Sequence, residues 1–301
     1  MADYVLSCCS TCDLSEEWLD KRNVRYVYFN YELSGVPYKD DFGKTIEPKR
    51  LYERMLAGAG AKTSQVSIGE YIDFFSSILE EGHDVCHVAL SSGISGTYNS
   101  ALEAKKVCEE RYPERRVEVI DSLCATSGQG LLIDALVRYR DTGASLDELV
   151  SFALERRNHV QTWVLSSDLR FYVMGGRVSR TAGLVGGALK ICVIMTLDKN
   201  GRLAPRLKVR TTKRAIHRLV EVMEFLGENG KAYDQPVFIS HSEDIKDATL
   251  LKKAVELNFP NLSEKPLVFP IGATIGCHTG PGTIVLHFWG ESREKSDITV
   301  L

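Results

Sequence analysis

In the first half of the chain, short apolar runs alternate with longer amphipathic ones, and few folds accommodate that rhythm. The runs Tyr4–Cys9, Val24–Tyr28, Val85–Leu90 and Val117–Ile120 are candidate strands. Helical periodicity occupies much of the space between them, at about Ser15–Lys21, Pro48–Leu56, Ile68–Glu81, Thr97–Glu110 and Thr126–Thr142. Strands separated by helices predict a parallel sheet with helices on both faces. The run from Val85 to Leu90 is almost continuously apolar, as a strand buried on both sides requires. Asp13, with Glu16 three residues on, reads as a capping box opening the first helix.

The second half has a different rhythm. A helix near Leu146–Arg157 leads to a strand at Val160–Leu165 and a short helix ending at Gly175-Gly176. Lys190–Asp198 and Arg202–Val209 flank Lys199-Asn200-Gly201, and Asn-Gly is a strong hairpin signal. Helices at about Thr211–Glu228 and Ile245–Leu257 and strands at Pro236–Ser240, Leu267–Pro270 and Thr283–Trp289 complete the pattern. Hairpins mixed with helices predict an α+β unit with partly antiparallel pairing. At 301 residues the chain is about twice a typical domain. The expectation is therefore two domains: a parallel α/β unit over 1–158, and an α+β unit with a mixed or antiparallel sheet over 159–301.

Composition removes several functional classes. Lys and Arg number 37 against 40 Asp and Glu, a formal charge of −3, which gives no basis for a nucleic-acid groove. No run reaches the ~18 apolar residues of a membrane span, and Met1-Ala2-Asp3-Tyr4 has no signal-peptide character. The expected compartment is the cytoplasm, where the eight cysteines would be reduced thiols.

Chemistry concentrates in polar loops that follow predicted strands, because such loops face a common crevice in an open α/β sheet. Loop one is Ser7–Leu14, loop two Ser91–Thr97 and loop three Asp121–Gly128. Loop two sets small hydroxyls and glycines before a helix, which suits an oxyanion but equally suits an ordinary helix cap. It matches neither a Walker loop nor a nucleophile elbow. Lys62–Ser67 offers hydroxyls before another helix, and an N-cap is the simplest account of it. A late glycine-rich stretch, Ile271–Gly282, places His278 among glycines on an expected loop, where helix or strand packing gives it no reason to be. Cys9-Ser-Thr-Cys12 is a C-x-x-C after a strand, a pattern that fits thiol redox chemistry, but its spacer is not a favoured one. A zinc site would need a second ligand pair that the sequence lacks. Three readings follow: a ligand carrier, a thiol oxidoreductase using Cys9 and Cys12, and a phosphate-ester or nucleotide enzyme using loop two.

Taken together, five segments resemble the DegV family of fatty-acid-binding proteins over nearly the whole chain. They are Cys8–Leu14, Thr63–Ser67, Ser91–Tyr98, Gly175–Ser179 and Gly276–Gly282, in the family's order. The resemblance implies two α/β domains with one long-chain fatty acid held between them and no other cofactor. It implies that Thr63, Ser95, His278 and Arg177, with Gly96 and Thr279 beside them, receive the carboxylate. It also implies a separate fatty acid kinase as partner, with this chain as a carrier without turnover of its own. Two departures stand out: Cys8-Cys9 replaces the family's Thr-Asp, and Val66 replaces a proline.

Overall fold

A computed structural model of the chain describes residues 4–179 and 191–294. Four strands, β1 (Tyr4–Cys9), β2 (Val24–Val27), β6 (Asp84–Ala89) and β7 (Val117–Asp121), form a wholly parallel sheet in the order β2-β1-β6-β7. The connecting helices are α1 (Glu16–Lys21), α2 (Pro48–Leu56), α3 (Ile68–Glu80) and α4 (Thr97–Arg111). After β7 come α5 (Ser127–Arg140) and α6 (Leu146–Arg156). Apolar runs buried on both faces need such a layered arrangement, and β6 is buried from Val85 to Ala89.

Three short strands were not legible in the sequence. β3 (Asn30–Leu33), β4 (Val36–Lys39) and β5 (Ala61–Ser64) make a small antiparallel sheet, ordered β4-β3-β5. The segment read as a helix cap is therefore partly a strand: Thr63 lies in β5 opposite Tyr31, and Ser67 alone caps α3 in a capping box with Glu70. The first helix also starts differently. Ser15 is its cap, accepting from the Trp18 amide, and Asp13 is not part of a capping box.

The second sheet is mixed, ordered β10-β9-β8-β13-β11-β12. Its strands are β8 (Val160–Ser166), β9 (Ile191–Leu197), β10 (Leu203–Arg210), β11 (Phe238–His241), β12 (Leu267–Pro270) and β13 (Ile284–Trp289). Only β11 and β12 pair in parallel; β9 and β10 form the hairpin signalled by Asn200-Gly201. The expected strand start at Lys190 lies outside the described residues. Helices α7 (Arg170–Met174), α8 (Thr212–Leu226), α9 (Ile245–Asn258) and α10 (Ala273–Thr279) complete this half.

Helix α10 corrects the sequence reading, since its residues were expected to form a loop. The glycines that hid it serve close packing: a Cβ on Gly276 would run into the Tyr52 hydroxyl. Two buried carboxylates fix its start. Asp13 accepts from the Gly272 amide at 3.0 Å, and Asp40 accepts from Ala273 and Thr274 at 3.0 Å each. Both belong to the first half, so α10 is fastened across the molecule. Helix α5, buried along most of its length, lies between the sheets and touches β8, β11 and β13.

Candidate functional site

The parallel strands deliver loops two and three to one edge of their sheet, facing the inner surface of the mixed sheet. A cavity of about 990 Å³, counting solvent at its open mouth, lies there. Its walls are mainly apolar, with Phe29 and Leu90 from the first half and Val164, Leu197 and Val285 from the second. Thr63, Ser95, Gly96, Arg177, His278 and Thr279 all line the same cavity. Residues more than two hundred positions apart in sequence are thus gathered at one polar cluster.

Within the cluster, Thr63 Oγ1 and His278 Nε2 are 2.7 Å apart, which joins β5 to α10. Burial and the neighbouring Arg177 hold the His278 pKa down to about 4, so its ring is uncharged at neutral pH. Its Nδ1 abuts Gly175, where any side chain would collide with it, and has no hydrogen-bond partner among the described residues.

Arg177 follows the Gly175-Gly176 turn after α7. Its guanidinium donates to the Ile94 carbonyl, from Nε at 3.2 Å and Nη2 at 3.1 Å, and to the Gly175 carbonyl at 2.6 Å. It braces loop two against the second half. Burial lowers its pKa, and among the described residues no carboxylate pairs with it. Ser95 Oγ accepts from the Thr97 amide at 3.2 Å, which ties it to the first residue of α4 while it borders the cavity. Gly96 permits Gln65 to approach; a Cβ there would strike Gln65 Oε1. Thr279 Oγ1 donates to the Gly280 carbonyl at 3.3 Å.

Loop two is a poor cradle for a phosphate. The Ser92 amide donates to Asp121, that of Gly93 to Ser91 Oγ, and those of Ile94 and Ser95 to the Ser91 carbonyl. The thiol reading fails on different ground. Cys9 faces Tyr71 Oη at 3.2 Å and His87 Nε2 at 3.5 Å, whereas Cys12 lies 3.8 Å from Cys8 in another part of the core. Both are fully buried, and burial pushes the Cys9 thiol up to about 12, opposite to what a redox nucleophile needs. Among the described residues no group of three or more His, Cys, Asp or Glu is placed to hold a metal.

Sequence reasoning missed the apolar wall, and it missed that Thr126 of loop three meets Thr162 and His287, with both threonines lining the cavity.

An apolar cavity between two α/β layers, lined at one place by hydroxyls and by Arg177, has the make-up expected of a small-molecule site. A family model described as an uncharacterised protein of the DegV family matches residues 9–290. The chain belongs to the DegV family. A DegV domain-containing protein of Staphylococcus aureus (strain COL) is 32% identical over 288 residues, covering 95% of this chain and 98% of the relative. A structure described as fatty acid binding of a DegV family protein from Thermus thermophilus superposes with a TM-score of 0.85. It is 26% identical and covers 96% of this chain and 99% of that one. The Streptococcus pneumoniae Fatty Acid Kinase (Fak) B3 protein loaded with linoleic acid has a TM-score of 0.83, covering 97% and 100% of the two chains. At 21% identity that likeness shows the fold alone.

Proposed function

We propose that this chain binds one long-chain fatty acid in the cavity, with the carboxylate at Thr63, Ser95, Gly96, Arg177, His278 and Thr279. One observation carries the reading: half-buried Arg177, without a carboxylate partner among the described residues, stands beside an uncharged histidine where an apolar cavity opens. A buried carboxylate is costly unless hydrogen-bonded, and the hydroxyls of Thr63 and Ser95 answer that need. Roughly fifteen methylenes at ~0.8 kcal/mol each supply ~12 kcal/mol before the costs of association. The tail thus sets affinity and the mouth sets head-group chemistry.

In this reading residues 1–158 and 159–301 are the two domains, and the acid lies between them. The chain is a cytoplasmic carrier without turnover of its own, and a separate kinase phosphorylates the presented carboxylate. The binding described for the Thermus thermophilus relative supports the carrier part of this reading. No helix among the described residues is long and apolar enough to cross a membrane. Delipidated protein offered palmitate or oleate should retain one equivalent in native mass spectrometry. Refusal of both acids would refute the proposal.

A further inference from the structure

Beyond the head-group cluster the cavity wall changes character. On the inner face of the mixed sheet Val164 stands opposite Val285, and two residues further from the end of β8 that leads into α7, Thr162 stands opposite His287. The fully buried His287 ring bridges two hydroxyls: Thr126 Oγ1 lies 2.9 Å from Nε2, and Thr162 Oγ1 lies 3.1 Å from Nδ1. Thr126 and Thr162 line the same cavity as His278 and Arg177. Apolar residues of similar shape would close this wall without a buried polar group to satisfy.

A count of hydrogens gives the polar trio a purpose. Burial holds the His287 pKa down to about 3, so its ring is neutral, with one N–H and one bare nitrogen. The two threonines bring two hydroxyl hydrogens. One hydroxyl donates to the bare nitrogen; the other accepts the ring N–H and has a hydrogen that the ring does not take, whichever tautomer is present. On Thr162 that hydrogen has the Cys124 thiol to turn to, a weak acceptor. On Thr126 it borders the cavity. An unsubstituted alkyl tail offers it nothing.

We propose that the preferred guest is an oxygenated long-chain acid, whose hydroxyl or keto oxygen accepts a hydrogen bond at the Thr126–His287–Thr162 trio. The proposal rests on the fatty-acid reading and names the substrate class within it. Val164 and Val285 stand between the trio and the sheet end that adjoins α7 and α10, the elements that precede Arg177 and carry His278, so the trio is set back from the head-group cluster. The oxygen therefore belongs in the body of the chain and not beside the carboxylate.

Competition tests this directly. Delipidated protein is given equimolar stearic acid with 10- or 12-hydroxystearic acid, and in a parallel arm stearic with 2-hydroxystearic acid, whose oxygen sits next to the carboxylate. Native mass spectrometry reads the bound acid. At least one mid-chain hydroxy acid should be retained tenfold or more over stearate, and the 2-hydroxy acid should gain no such advantage. Thr126→Val with Thr162→Val should erase the preference, while Thr126→Ser, which keeps the hydroxyl, should preserve it. Stearate retained equally or better by the wild-type protein overturns the inference, as does a matching advantage for the 2-hydroxy acid. A preference that survives in folded valine variants also overturns it. If no acid is retained at all, the fatty-acid reading itself falls, and this inference with it. The wild-type competition decides the matter even where a variant does not fold.

Discussion

His278 and Arg177 shape each other's chemistry: the guanidinium helps to keep the ring neutral, and the neutral ring leaves the guanidinium's charge for a guest. Because methylenes carry most of the affinity, His278→Ala should impair kinase-dependent acyl phosphate formation more than palmitate binding. Retention lost with phosphorylation of residual lipid intact would reverse those roles. The same ring gives a pH signature in lipid-free protein. The unfolded chain takes up a proton near pH 6.5 that the folded chain refuses until about 4. This contribution to stability is complete above pH 6.5 and shrinks as the pH falls toward 4. Urea unfolding of wild type and His278→Gln should show the wild-type advantage falling across that window; a flat difference would refute the depressed pKa. All eight cysteines are buried, so iodoacetamide should label none in the native protein and all after denaturation, by intact mass.

Among the elements, α10 is the one that makes the site, because it holds His278 against Thr63 of β5. Asp40→Ala strips acceptors from two amides at its start and should cost about 1–2 kcal/mol in urea unfolding, with weaker acyl retention. Unchanged stability would mean that the helix is not held there. Most elements were legible in the sequence for a physical reason: the central parallel strands β1 and β6 are mainly apolar and buried, and the β9–β10 hairpin turns on Asn200-Gly201. The small sheet escaped notice because its strands are four residues each and mix apolar with polar or charged side chains. Helix α10 escaped because glycines that suit a loop are there to admit Tyr52 and the two aspartates. Asp13 and Asp40 could not be found at all from spacing, since what they cap lies more than two hundred residues away.

At the scale of the whole molecule, the motifs picked out residues that line one cavity but did not reveal the cavity itself. That space exists only because loops two and three of one sheet face the inner surface of another, with α5 filling the layer between them. Its polar trio depends on contacts across 161 and 125 residues, which no local pattern encodes. The account comes down to a guest lying between the sheets with its acid end at Thr63, Ser95, Arg177 and His278. A crystal structure of the protein with stearate bound measures this most directly. The account predicts continuous density for the tail between Phe29, Val164 and Val285, and carboxylate oxygens within hydrogen-bonding distance of Thr63 and Ser95. Density with the acid end reversed, or lying outside the cavity, would contradict it.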